Sequence, residues 1–252
     1  MIIDGHVHIG KTEKSERYFT FESYREFAEH NIIGGAVVMP NISNKIKTYD
    51  LNYDLLEEAS KYKNSKFKYF PFILIDPFEK IICQQIKRYS KDIYGLKYHP
   101  SINQVEISHK DLQPFIQKAK IYQIPILVHC GRNSFSDIKY VIEACKQNPD
   151  VNFIAAHLGG NATDLIEQAI YKISVNKNLN NLYLDTSAVK LPWLIELAVE
   201  KLGFDKIIFG SDEPYADLRI AKYCVELCNI DRRGAILSKN ISKLLKVYSD
   251  EK

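Results

Sequence analysis

The 252-residue chain is 46% hydrophobic and 26% charged, with a formal net charge of +3. That balance is ordinary for a globular protein, and so small and dispersed a charge argues against nucleic acid or an anionic membrane as partner. No apolar run approaches the roughly 20 residues of a bilayer-spanning helix. The N-terminus also lacks a basic segment followed by an apolar one, so no secretory signal is expected.

The first strand is read over residues 2–8. Its Asp4-Gly5-His6-Val7-His8 sets two imidazoles two residues apart, on one face of an extended chain. Ser23 and Glu26 form the pattern of a capping box, followed by a helical face of Tyr24, Phe27 and Ala28. A second strand is expected over residues 35–40, a second helix over 50–62, and a third strand over 67–76 that Pro77 stops. The fourth strand is placed at 94–100, ahead of a helix carrying Leu112, Phe115, Ile116 and Ala119. The remaining strands fall at 125–131, 152–159, 182–187 and 206–214. Their near-continuous apolar character suits parallel strands covered on both faces.

The five cysteines, Cys83, Cys130, Cys145, Cys224 and Cys228, are odd in number and lack a CxxC pair. Free thiols in a reducing, cytoplasmic setting are therefore expected. Cys224 and Cys228 lie four apart on a helical pattern and read as small packing residues, while Cys130 should face away from its neighbour His129.

Spacing sets the architecture. Lys97, His129, His157, Asp185 and Asp212 stand at or near the ends of successive runs, 32, 28, 28 and 27 residues apart. A step near 30 residues is one strand–helix unit, and eight units make a (β/α)8 TIM barrel of about 250 residues. Nothing resembling a linker divides residues 1–252, so one domain is expected. A doubly wound sheet is the other fold considered, but the glycine-rich phosphate turn it would carry after the first strand is replaced by His8-Ile9-Gly10.

In such a barrel the C-terminal strand ends supply the chemistry. Closing the sheet brings His6, His8, His129, His157 and Asp212 toward one axis. Three imidazoles and a carboxylate suit a divalent ion, zinc first, with manganese or iron as alternatives. Taken singly, His129 and His157 could be core histidines, Asp212 a turn cap, and Asp185 the cap of the helix after its strand.

Six segments, DGHVH, GLKYHP, PILVHCG, FIAAHLGG, LYLDTS and IIFGSDEPY, occur in this order over nearly the whole chain. Together with residues 236–245, which read as a closing helix, they resemble the amidohydrolase superfamily. The similarity is greatest to its branch of amidohydrolase-related metal-dependent hydrolases and decarboxylases. The resemblance implies a mononuclear divalent site of His6, His8, His129 and Asp212. It also implies His157 as an acid/base that polarises the substrate, and Asp212 as an additional proton acceptor. In dinuclear relatives the strand-four lysine is carboxylated and bridges two metals. Here Lys97 reads first as a substrate-carboxylate binder or an internal ion-pair partner, with His99 on its face and Arg132 as a second anion binder.

The leading expectation is metal-assisted hydrolysis of a small amide, ester or lactone by activated water. The alternative is non-oxidative decarboxylation of a small carboxylic acid on the same ion. A related metal-dependent nuclease would need a strand-four glutamate and a basic face, and neither is present. A non-catalytic binding barrel would not need the full ligand set. The expected partner is a small-molecule substrate, and the residues do not specify an oligomeric state.

Overall fold

A computed structural model describes residues 1–12, 16–43, 45–176 and 178–247. Residues 13–15, 44, 177 and 248–252 of the expected domain lie outside the described residues. Eight strands run β1 (Ile2–Ile9), β2 (Ile33–Pro40), β3 (Lys68–Leu74), β4 (Gly95–Tyr98), β5 (Ile126–Val128), β6 (Phe153–Ala155), β7 (Leu182–Asp185) and β8 (Ile207–Ile208). Each pairs in parallel with the next in sequence order. Between them lie α1 (Phe21–His30), α2 (Thr48–Ser60), α3 (Ile82–Arg88), α4 (Pro100–Asn103), α5 (Gln113–Tyr122), α6 (Ile138–Gln147), α7 (Thr163–Ser174) and α8 (Pro192–Leu202). Helices α9 (Leu218–Leu227) and α10 (Asn240–Leu245) follow β8. This is the (β/α)8 barrel that the spacing predicts.

The ring closes where the chain after β8 meets β1. Gly5 N–H donates to the Phe209 carbonyl at 2.9 Å, Asp212 N–H to the His6 carbonyl at 2.9 Å, and His8 N–H to the Glu213 carbonyl at 2.7 Å. A Cβ on Gly5 would stand 2.6 Å from the Phe209 oxygen, so this approach requires glycine.

Strand alternation divides the apolar residues into two layers. Ile3, Val37, Met39, Phe72, Leu127, Ile154 and Ile208 fill the barrel interior, joined by Ile241, Leu244 and Leu245 of α10. Val38, Leu96, Val128, Ala155 and Leu184 pack outward with the helices, as does Cys130. The alternation has a functional consequence. Lys97, between outward Leu96 and Tyr98, turns inward, as do His129 after outward Val128 and Asp185 after outward Leu184.

Several boundaries differ from expectation for identifiable reasons. Helix α1 begins at Phe21, not after Ser23. Its cap is Thr20, whose hydroxyl accepts from Ser23 N–H at 3.1 Å while the Ser23 hydroxyl accepts from Thr20 N–H at 2.9 Å. Ser23 is thus the third helical residue of the box and not its cap. The Thr20→Ala variant should lose about 1 kcal/mol of unfolding free energy, read from urea denaturation, with activity unchanged. Helix α2 starts two residues early because Glu79 accepts its first N–H groups, from Thr48 at 2.8 Å and Tyr49 at 3.2 Å. The closing segment is a π-helical turn (Ala235–Lys239) leading into α10, anchored by Asn240, whose amide donates to the Phe204 and Ile207 carbonyls. All five cysteines are free thiols. Among the described residues no helix is long and apolar enough to cross a membrane.

Candidate active site

His6 and His8 project from β1 into the end of the barrel where the strands finish. His6 is fully buried and His8 nearly so. His6 Nδ1 lies 2.8 Å from Asp185 Oδ2. A carboxylate only accepts, so the His6 proton sits on Nδ1 and Nε2 is bare. His8 has an acceptor on each side, the Pro40 carbonyl 3.5 Å from Nδ1 and Asp212 Oδ1 3.4 Å from Nε2, and with its proton on Nδ1 the His8 Nε2 is bare as well.

His157 follows β6 in a tight turn, with φ of 59° for His157 and 52° for Leu158. This left-handed pair ends the strand short of the 159 expected, because His157 N–H donates to Asp185 Oδ1 at 2.8 Å instead of continuing the ladder. His157 Nδ1 lies 3.1 Å from the Ser187 carbonyl and 2.8 Å from its hydroxyl. The carbonyl fixes the proton on Nδ1 and leaves Nε2 as an acceptor. His129 Nδ1 stands 3.2 Å from that Nε2 and therefore donates to it. His6 and His129 therefore carry an unprotonated Nε2, and His8 does so in its Nδ1–H tautomer.

His6 Nε2 and His8 Nε2 each lie 3.4 Å from Asp212 Oδ1. The ligand atoms of these three residues all fall within 4.8 Å of one another. Converging lone pairs without hydrogens between them form a binding site for a cation. Burial pushes the His6 imidazole down to about 4, with the nearby Lys97 charge acting in the same direction. Burial also lowers His8, and lowers His129 well below the ordinary value with help from His99 and His157. These imidazoles are neutral at physiological pH, the form that ligates a metal. Burial acts to raise Asp212, but the His8 imidazole against it, with His157 and His6, overcomes this and holds the carboxyl below its usual range.

Lys97 is wholly buried, with Nζ 3.0 Å from His6 Nε2. Burial brings its ammonium down to about 8, opposed by Asp212 and Asp185. A cavity of about 190 Å³ opens against Lys97, His8, His129, Asp212, His99 and Tyr215. The Tyr215 ring stands edge-on to His8, and the His99 ring stacks on His129 with centroids 4.0 Å apart.

Asp185 is not a helix cap. It accepts from His6 Nδ1–H, His157 N–H, Ser187 N–H and the Ser187 hydroxyl. Burial alone would raise it, but His6 beside it, His157 and Ser187 bring it down to about 2. It is the acceptor that orients the strand-one imidazole, a part that a short polar residue on an inward strand position could have signalled. His157 stands behind His129 and reaches the cavity through that ring. Arg132 is not brought to the cavity. Its side chain is exposed and points to Asp164, with Nη2 3.4 Å from Oδ1.

The sequence profile of the amidohydrolase family matches residues 3–246. The chain belongs to the amidohydrolase family. No curated protein matches this amidohydrolase by sequence. Its fold is shared with solved structures over nearly all of each chain. Against 5-carboxyvanillate decarboxylase LigW from Sphingomonas paucimobilis the TM-score is 0.76, at 11% identity over 98% of this chain and 99% of that one. A dihydroxybenzoic acid decarboxylase from Polaromonas sp. JS666, solved with manganese and the inhibitor 2-nitroresorcinol, gives 0.76 at 14% identity, over 98% and 97%. A putative amidohydrolase from Staphylococcus aureus gives 0.76 at 15% identity, over 97% and 99%. At such identities the likeness concerns the fold.

Proposed function

We propose that this amidohydrolase is a metal-dependent lyase that decarboxylates a small carboxylic acid without oxidation, its barrel acting as one domain. The observation that carries the reading is the Lys97 ammonium, buried beside the converging His6, His8 and Asp212 atoms. A cation shielded from water at the edge of a small cavity favours an anionic substrate, and a carboxylate matches it. The decarboxylases among the structures sharing this fold support the same choice over hydrolysis, and the manganese in two of them bears on the metal. Five free thiols fit a cytoplasmic setting.

The donor set fits a divalent ion. The converging His6, His8 and Asp212 would hold it, with His129 on the cavity wall as the fourth ligand, and manganese is favoured over the zinc first expected. When bound, the ion supplies Lewis acidity toward a substrate oxygen. The remaining work falls to the chain. Lys97 binds and orients the carboxylate. The carbon–carboxyl bond breaks, its electron pair stays on carbon, and a proton replaces the departing carbon dioxide. Lys97, buried at the cavity wall, is placed to give that proton and to regain it from solvent. His157 fixes the His129 ring through its Nδ1 proton, so its acid/base contribution runs through His129.

The test is product stoichiometry on manganese-loaded protein with a panel of hydroxylated benzoic acids. Carbon dioxide should appear mole for mole with substrate lost, and Lys97→Met should lower kcat/KM by about 10–100-fold with metal content unchanged. Water consumption without carbon dioxide release, on the amide, ester and lactone counterparts, would instead establish hydrolysis.

A further inference from the structure

The cavity beside Lys97 is small. At about 190 Å³ it falls below the roughly 300–1,000 Å³ usual for ligand sites. A second cavity of about 410 Å³ adjoins it, and Ile42, His99 and Ile102 line both. These three side chains are partly exposed, so a ligand lying over them would touch both spaces.

The second cavity has an uneven polar lining. Glu79 is engaged in holding the start of α2, as described above. Asp76 is differently placed. Its Oδ1 takes the Phe78 N–H at 2.8 Å, its Oδ2 has the Thr48 hydroxyl at a long 3.4 Å, and the Asn103 side chain also donates to the carboxylate. A carboxylate offers about four acceptor positions, so these three donors leave Asp76, which lines the cavity, about one more. Asp76 is half-buried, which strengthens any charged bond it makes, and burial already raises its carboxyl above the ordinary value. Lys45 and Lys47 also line the cavity, but both are exposed to water, where an ion pair contributes little.

We propose that this second cavity is a substrate subsite for the distal end of an elongated carboxylic acid, and that Asp76 binds an ammonium group carried there. The reacting carboxylate lies by Lys97, the body of the molecule crosses His99 between Ile42 and Ile102, and the ammonium meets Asp76. The inference rests on the acid-decarboxylating reading and narrows its substrate class to amino-bearing acids.

Binding of four acids to manganese-loaded protein, by calorimetry, tests it: benzoate, 4-propylbenzoate, 4-(2-aminoethyl)benzoate and 4-(2-carboxyethyl)benzoate. The propyl and aminoethyl compounds match in shape and differ in charge. The aminoethyl acid should bind about tenfold tighter than the propyl acid, a preference that Asp76→Asn abolishes without changing benzoate affinity. Ile102→Trp, which fills the passage, should weaken both longer acids and spare benzoate. Equal binding of the propyl and aminoethyl acids, or survival of the preference in Asp76→Asn, overturns the subsite alone. Tighter binding of the carboxyethyl acid would give the cavity to Lys45 and Lys47 and overturn it equally. Failure of benzoate and all three longer acids to bind would remove the carboxylic-acid reading, and the subsite with it.

Discussion

Purified His6→Ala protein should retain less than about a tenth of the divalent metal carried by wild type, and lose about a thousandfold or more in turnover. His6 supplies one of three atoms that converge within 4.8 Å. The substitution also deprives buried Asp185 of a donor, so folding must be checked by circular dichroism. His8→Ala separates the two effects, because the His8 Nδ1–H meets only the Pro40 carbonyl among the contacts described. It should lose metal to a similar degree with little change in melting temperature. Arg132→Ala is the control, since that side chain is exposed and turned to Asp164. Elemental analysis supplies the readout, with one ion per chain in wild type. Two ions per chain would point to a carboxylated, bridging Lys97, and full occupancy in both histidine variants would dismantle the ligand set.

The parts of this architecture legible in sequence are those governed by period. Recurrent apolar runs a fixed distance apart specify strand–helix units, and inward positions at the strand ends follow from alternation. The common face of His6 and His8 on β1 and the strand-end position of Lys97 and His129 follow from that period. The parts that were not legible depend on partners far away in the chain. Asp185 looks like a cap when only its own neighbours are read, because the imidazole it orients is 179 residues distant. Helix α2 takes its cap from Glu79, 31 residues on. Strand β6 stops early because Asp185 takes the His157 N–H. Arg132 stands only three residues after the inward His129, yet the turn after β5 directs it outward to Asp164. Sequence adjacency to a ligand does not fix direction once the strand has ended.

The Asp185→Asn variant should fold and yet bind metal about 10–100-fold more weakly. Three donors converge on Asp185 Oδ1: His157 N–H at 2.8 Å, Ser187 N–H at 3.0 Å, and the Ser187 hydroxyl. An asparagine must therefore keep its oxygen on that side, which turns its NH2 group toward His6 Nδ1. Two donors cannot face each other at 2.8 Å, so the His6 proton shifts to Nε2, toward Asp212 Oδ1 at 3.4 Å, and Lys97, 3.0 Å from that nitrogen, accepts there as a neutral amine. The ligand atom is then blocked while the packing is nearly unchanged. Nitrogen-15 NMR of the imidazoles reads this directly, as an exchange of the protonated and bare His6 nitrogens between wild type and variant. Asp185→Ala behaves differently. It strands several buried N–H donors and should cost about 2–5 kcal/mol of stability in denaturant unfolding. Wild-type metal affinity in a folded Asp185→Asn protein, with the His6 tautomer unmoved, would show that strand seven does not govern the strand-one imidazole.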